Sequence, residues 1–286
     1  MLRGERRSDT GLTVPNPRRD PGSSGWMDAA SVTEVTSGGL QRRDLLAPLL
    51  QLPDVADAAE AARVALGKAH RHRTNLRNWP LTAAESAVRG SRSSSALDGG
   101  GIELDAISED PVLAGALRAG QALEGGATTL VGVWQRAPLQ ALARLHALAA
   151  ADLVDEEHLG RPRQQPETAA RLDLLSGLVT GGSSVPAPVL AGVAHGELLT
   201  LAAFGSADGV VARAVSRLVS IATGLDPHGL GVPEVYWLRR ADEYRAAAAG
   251  FATGTQSGVG AWLLMCCRGM EDGAREALSI AEAAAK

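Results

Sequence analysis

The chain has few aromatic residues, few cysteines and no long apolar run. Phe, Trp and Tyr make up 3% of its 286 residues, whereas sheets are enriched in aromatic and β-branched residues. Hydrophobic residues still account for 45%, so the core must be built largely from Ala, Leu and Val. Because Ala and Leu are strong helix formers, we predict a mainly α fold with one large domain or two small ones.

The scarcity of cysteine and of apolar runs also limits the cellular compartments and the binding partners that we expect for this protein. Cys266 and Cys267 are adjacent, and neighbours on a helix rarely form a disulfide with each other. We therefore expect a reducing, cytoplasmic environment. No apolar stretch reaches the roughly 20 residues of a membrane span, and a net charge of -4 lacks the basic field of nucleic-acid-binding proteins. We expect no membrane and no nucleic acid among the partners, which leaves an unknown protein partner.

The chain divides into three predicted parts. Residues 1–40 are rich in Arg, Asp, Ser, Gly and Pro without a hydrophobic period, which predicts a disordered leader with Met27 as an alternative start. Residues 41–105 are predicted to form an N-terminal helical cap. Residues 106–286 are predicted to form a helical core.

Capping residues, glycines and prolines delimit the predicted helices. Asp54 is the expected N-cap of the first helix. After a break at 78–80, a capping box at 82–85 is expected to open the second helix, which ends at the glycines of 99–101. Residues 70–73 are expected to be a solvated helix end. Later helices are predicted over 111–123, 138–148, 167–179, 188–201, 208–224, 240–250 and 258–284.

A Gly-rich turn over 204–213 separates two of these helices. Backbone N–H groups at the start of the helix near Asp208 would make a natural anion site. The turn also resembles the signature of the Fic/Doc (Fido) family, which reads His-Pro-Phe-x-Asp/Glu-Gly-Asn-Gly-Arg-x-x-Arg. Phe204, Gly209 and Arg213 match this pattern. The resemblance implies that these three residues and Ser206 bind a nucleotide or phosphate.

Most of the chemical groups of that signature are absent. The family's catalytic His falls on Ala202 and its metal-binding acid on Ser206, while its Asn falls on Asp208 and its first Arg on Val210. Members of the family transfer AMP from ATP to a protein hydroxyl with the help of Mg²⁺. Loss of a general base alone costs about 10²–10⁴-fold in rate. The resemblance therefore implies a catalytically degenerate Fido protein with ATP and Mg²⁺ as candidate ligands and no metal site of its own.

A second motif lies upstream of the turn. Residues 94–99, Ser-Ser-Ala-Leu-Asp-Gly, resemble the Fic inhibitory-helix motif Ser/Thr-x-x-x-Glu-Gly/Asn. In the family, the acid of this helix pairs with the last Arg of the signature and blocks the ATP γ-phosphate. The resemblance gives Ser94, Asp98 and Gly99 the inhibitory role and implies an ion pair between Asp98 and Arg213.

Further parts of the chain resemble the family or depart from it. The pair Leu145-His146, followed by the turn at 160–163, resembles the family's Leu-His helix and its Gly-x-x-Arg turn. The β-hairpin flap that usually follows is short or missing, since only residues 164–166 precede the next helix. The resemblance thus implies a Fic-like (Fido) helical bundle with a short or missing flap and an N-terminal helical cap.

Three residues are weak candidates for replacing the missing catalytic His. His195 lies about two turns before Ala202, roughly 10 Å along the helix axis, and a buried core position is the stronger interpretation, as it is for His146. Glu197 is a candidate base, although a solvated or capping role is favoured. Asp208 could hold a metal, but a carboxylate in the anion site would repel phosphate.

Three hypotheses stay open at this point. The first is a degenerate Fido protein that acts by binding a nucleotide, a phosphate or a protein. The second is an active nucleotidyl or phosphoryl transferase with displaced catalytic residues, which would need ATP and Mg²⁺. The third is a ligand-free helical scaffold whose groove near Arg213 is filled by side chains.

Overall fold

The computed structural model describes residues 44–124 and 130–285, without the side chains of 106–108. The predicted disordered leader, residues 1–40, lies outside the described residues. Within them no strand is found, and almost all regular structure is α-helical. The prediction of a mainly α fold is therefore confirmed.

Eleven α-helices follow one another along the described chain, joined by short turns and 3₁₀ segments. Every helix in the described part is too short or too polar to cross a lipid bilayer. The helices are α1 Val55–His70, α2 Arg73–Leu97, α3 Pro111–Gln121, α4 Leu130–Arg136, α5 Pro138–Ala149, α6 Pro166–Gly177, α7 Ala187–Leu201, α8 Asp208–Ala222, α9 Pro233–Arg239, α10 Ala241–Ala252 and α11 Gln256–Ala283.

Helix α7 forms the centre of the bundle, packed by α8, α10, α11 and α1. Almost every residue from Pro188 to Leu198 is buried, as expected for a helix surrounded on all sides. Gly192 and Gly196 allow this close packing, since a side chain at either position would run into α11 near Leu263 or Trp262. With few aromatic residues available, Trp237 and Trp262 fill the largest buried volumes.

Two of the predicted helix starts are wrong in detail. Asp54 precedes α1, but it has a left-handed backbone with φ of 62° and its side chain caps no N–H group. The predicted capping box at 82–85 lies inside α2, where the buried hydroxyl of Thr82 donates to Asn75 Oδ1 at 2.8 Å. The break itself is real, because Asn78 has non-helical angles inside α2.

Other sequence signals are confirmed. Helix α2 ends at Leu97, followed by Gly99 with φ of 86°, a left-handed angle that favours glycine. Asp110 caps α3 by accepting from the Leu113 N–H at 2.9 Å. The short helices α4 and α9 are the two α-helices that the sequence patterns did not predict, because seven residues carry too little periodicity to detect.

Candidate functional site

The candidate site is the turn between α7 and α8, residues 202–207. Ala202 and Ala207 at its two ends adopt left-handed backbones with φ of 45° and 50°, and Gly205 between them has φ of 80°. Such angles are costly for alanine. They bring the chain back on itself, so that the start of α8 faces the backbone of the turn.

Two backbone N–H groups of this turn bind the protein's own carboxylate. Asp208 Oδ1 accepts from the Phe204 N–H at 2.9 Å, and Oδ2 accepts from the Gly205 N–H at 2.7 Å. Burial raises the pKa of Asp208, and the nearby Asp98 adds to the rise, while the two N–H groups and Arg163 oppose it. These two N–H groups of the turn are thus taken up within the chain, whereas no side chain caps the N–H groups that begin α8.

His146 on α5 supports the turn from below. Its Nδ1 accepts from the Gly160 N–H at 2.9 Å, and its Nε2 lies 3.0 Å from Ser206 Oγ. Because Nδ1 accepts, the neutral ring carries its proton on Nε2 and donates it to Ser206. Burial lowers the pKa of His146, which favours that neutral form. The ring also stacks on Phe204 at 4.0 Å.

The Gly-x-x-Arg turn at 160–163 docks on the same loop. Arg163 donates its backbone N–H to Ala203 O at 2.8 Å and its Nη2 to Leu201 O at 2.9 Å. From the sequence, His146 and this turn were identified only by their resemblance to the Fic family. Both contact the turn at 202–207 through the tertiary fold. The Leu-His pair followed by Gly-x-x-Arg is the sequence signal from which this contact could have been predicted.

Arg213 lies one helical turn into α8 and is 1% exposed. Its Nε donates to Ser94 Oγ at 2.8 Å and its Nη2 to Ser94 O at 2.9 Å. Nη2 also lies 2.8 Å from Asp98 Oδ1, and that side chain is 25% exposed. The ion pair that the resemblance implies is therefore present, and the end of α2 lies directly against the start of α8.

Gly209 is required at this contact. The Asp98 carboxylate lies against the Cα of Gly209, and any side chain there would overlap it. Asp98 and Asp208 thus both lie at the N-terminal end of α8, where a helix favours negative charge. A phosphate arriving at this position would meet two carboxylates.

The candidate base His195 is sealed in the core. It is fully buried among Trp237, Tyr244 and Trp262, with Nε2 2.8 Å from Tyr244 Oη. Burial, aided by the charge of Arg213, moves its pKa well below the ordinary value. His195 thus occupies the buried core position that the sequence favoured.

Tyr244 joins this core to the site. Its hydroxyl oxygen lies 3.5 Å from Arg213 Nη1, and since a guanidinium only donates, the hydroxyl proton is left for His195 Nε2. Neutral His195 then carries its own proton on Nδ1, which lies 3.9 Å from Cys266 Sγ. A polar chain therefore runs from Arg213 into the bundle without opening to the surface.

Glu197 is also engaged in a structural contact. Its side chain is 3% exposed and lies 2.5 Å from Arg171 Nε, and its second oxygen accepts from Arg171 Nη2 at 2.9 Å. Such a two-bond pair with arginine is strong and fixes both side chains. The expected solvated or capping role is wrong, because the buried carboxylate is paired with Arg171 through both oxygens.

Little space is left beside Arg213. A cavity of about 20 Å³ lies between α2, α3 and α8, lined in part by Ser91, Ser94, Gly120, Arg213 and Arg217. This volume holds about one water molecule, far below the 300–1,000 Å³ or so of a small-molecule pocket. Among the described residues no group of three or more His, Cys, Asp or Glu side chains could hold a metal ion.

The histidines near the start of α2 form a separate cluster. His70 Nε2 lies 2.7 Å from Asp226 Oδ1, and Asp226 also accepts the Leu230 and Gly231 N–H groups. The expectation of a solvated helix end is therefore wrong at His70. His228 stacks on Trp79 at 4.1 Å.

Comparisons with known proteins bear on the fold. No protein-family model matches the chain, and no curated protein matches it. Its structure is similar to the crystal structure of a Fic family protein from Desulfovibrio desulfuricans G20, with a TM-score of 0.61 and 18% identity, over 79% of this chain and 74% of that one. The described residues also contain no strand that could form a flap after the turn at 160–163. The chain therefore has a Fic-like helical fold with an N-terminal helical cap.

Proposed function

We propose that this protein is a Fido-type binding protein that does not transfer nucleotides by the route of protein adenylyltransferases. One observation carries the proposal: the N-terminal end of α8 is closed from within the chain. Ser94 and Asp98 hold Arg213, and Asp208 takes the N–H groups of the turn. Arg213 and these two N–H groups of the turn are thus already paired.

The chemistry of transfer supports the same proposal. A base is needed to take the proton from the target hydroxyl, and Ala202 offers a methyl group at that position. Donors are needed to neutralise the charge on the phosphates, and Val210 has none. Ser206 is held by His146 at 3.0 Å and is a poor anchor for Mg²⁺ compared with a carboxylate.

The test combines ATP binding and AMP transfer on the full chain. Calorimetric titration with ATP and Mg²⁺ should give no heat of binding, and radiolabelled ATP should leave no label on the protein or on an added hydroxyl-bearing protein. Arg213→Ala is the control that separates true transfer from contamination. Label incorporated by the wild type and lost in Arg213→Ala would overturn the proposal and support an active transferase with displaced residues, Asp208 being the candidate left.

A second candidate function is nucleotide or phosphate binding that Asp98 gates. The observation that favours it is the exposure of Asp98, whose side chain is 25% exposed while Arg213 is buried. Asp98→Ala frees one face of Arg213, and Asp98→Ala/Asp208→Ala also frees the N–H groups of the turn. ATP binding that appears in these variants and not in Glu60→Ala, a control at an exposed ion pair, would favour the gated site.

If no variant binds ATP, the remaining alternatives are favoured, namely a protein-binding domain or a ligand-free scaffold. We place the protein in a reducing cytoplasm, since Cys266 and Cys267 are both free and buried. The proposed partner is then another protein. Nothing in this proposal requires the protein to bind a cofactor.

A further inference from the structure

The exposed apolar side chains are unevenly distributed over the surface. Eight large ones are exposed in the described part of the chain, and five of them lie at the two ends of α2. Scattered exposed apolar residues need no explanation, whereas clusters mark interaction surfaces. The five are Leu76, Trp79, Leu81, Ile102 and Leu104, each between 37% and 69% exposed.

The first cluster is basic. We call residues 73–81 the basic end: Arg73 and Arg77 are exposed there beside Leu76, Trp79 and Leu81, and 71–84 contains no acidic residue. The non-helical angles of Asn78 bend the chain at this point. As a result, every residue from 76 to 81 is exposed. The basic end therefore projects both apolar and positive side chains.

The second cluster is acidic. We call residues 102–105 the acidic segment: Glu103 and Asp105 alternate with Ile102 and Leu104, all four are exposed, and 98–110 contains no basic residue. Within the ranges that the structure covers, none of Arg73, Arg77, Glu103 and Asp105 forms an ion pair. The two clusters thus carry matching apolar groups and opposite, uncompensated charges.

Leu81 of the basic end and Arg92, which contacts the acidic segment, lie along one side of the part of α2 that follows Asn78. Leu81 and Arg92 are eleven residues apart, which places them within about 20° of each other around the helix and about 16 Å apart along it. Arg92 Nε donates to the backbone carbonyl of Ile102, which fixes the acidic segment beside that face. Val88 is half-buried between the two ends. This face points away from Ser94, which holds Arg213 on the inner side.

We propose that a second copy of this chain binds this face, with the two α2 helices antiparallel about a two-fold axis. In that arrangement each basic end meets the other copy's acidic segment, so the same contact forms twice, as an isologous interface requires. The charges orient the two copies and favour their encounter, while the apolar side chains are buried between them. The dimer is salt-sensitive because its ion pairs lie at the rim.

Sedimentation velocity on the full chain tests this association. We expect a dimer that populates between about 1 and 100 µM and weakens several-fold when NaCl rises from about 50 to 500 mM. Arg73→Glu/Arg77→Glu and Glu103→Arg/Asp105→Arg should each weaken dimerisation at least tenfold. Leu76→Ser/Leu81→Ser tests the apolar part without changing charge.

Mixing the two charge-reversal variants gives the sharpest result. In a mixed pair, both contacts again join opposite charges, so heterodimers should form with an affinity within about threefold of the wild type. Arg144→Glu/Arg268→Glu is the matched control, since it reverses two exposed arginines on other helices and should leave the dimer intact. A wild type that stays monomeric at 100 µM in low salt, or reversal variants that dimerise normally or are not rescued by mixing, would overturn the proposal. These outcomes do not depend on whether the protein binds ATP.

Discussion

Removing the Asp98 carboxylate should destabilise the protein measurably. Breaking a fully buried ion pair by deleting one partner costs about 3–5 kcal/mol, because the other charge is left without compensation. Here Arg213 is buried, but Asp98 is 25% exposed, so water can enter the vacated position. Arg213 also keeps the two hydrogen bonds that it donates to Ser94. We therefore expect Asp98→Ala to lower the free energy of unfolding by about 1.5–3 kcal/mol.

Urea unfolding followed by circular dichroism measures this loss. In a chain of this size the same change lowers Tm by about 3–6 °C. The control is Glu60→Ala, which breaks an ion pair whose two side chains are 59% and 60% exposed and should leave the free energy of unfolding unchanged. Asp98→Asn keeps the size of the side chain and should fall between wild type and Asp98→Ala.

A double-mutant cycle identifies the partner. Asp98→Ala combined with Arg213→Leu should be less destabilised than the sum of the two single variants by at least about 1 kcal/mol, since the charge left unpaired by the first change is gone in the second. An Asp98→Ala variant as stable as Glu60→Ala, or strict additivity in the cycle, would refute the reasoning that Asp98 compensates a buried charge.

Three further predictions concern the turn and the core. Ala202→Gly should raise the free energy of unfolding in urea by about 0.5–1 kcal/mol. The backbone φ at this position is 45°, and the relief of that strain exceeds the entropy cost of glycine. A lower free energy of unfolding in the variant would contradict this. Burial raises the pKa of Asp208 above its ordinary 3.8, so the contribution of Asp208 to the free energy of unfolding falls as the pH rises from that value. The stability of Asp208→Asn relative to the wild type should therefore increase between about pH 4 and 7. A stability difference between the two proteins that does not change with pH would disprove this. Burial also raises the pKa of both cysteine thiols, that of Cys267 to about 12, so neither should react with a thiol reagent until the protein unfolds.

Local signals in the sequence were sufficient for the helical class and for several helix boundaries. The glycine after Asp98, the Asp110-Pro111 pair and Pro138 each act within one turn of chain, so their effect does not depend on the rest of the fold. Asp54 and Thr82 carry similar local signals and fail as caps. Thr82 fails because its hydroxyl is buried and finds Asn75, a contact that packing determines.

The candidate site was predicted in part. Alignment with the signature matched Asp98 to Arg213, and the structure brings the two within 2.8 Å. Tertiary contacts decide which side chains of the candidate site remain free to bind a ligand. His146 contacts Ser206, and both His195 and Glu197 are buried. The buried positions of His195 and His146 were favoured from sequence, whereas the burial of Glu197 follows from the packing of α7 between other helices.

By itself the sequence determined that the chain is helical, where most helices begin and end, and that the turn between α7 and α8 is rich in glycine. These are properties of single residues and of their near neighbours. Only the tertiary structure decided that His146 contacts Ser206 and that Ser94, 119 positions away from Arg213, holds that arginine. Such contacts depend on how α2, α5, α7 and α8 pack together, and no local pattern contains that information.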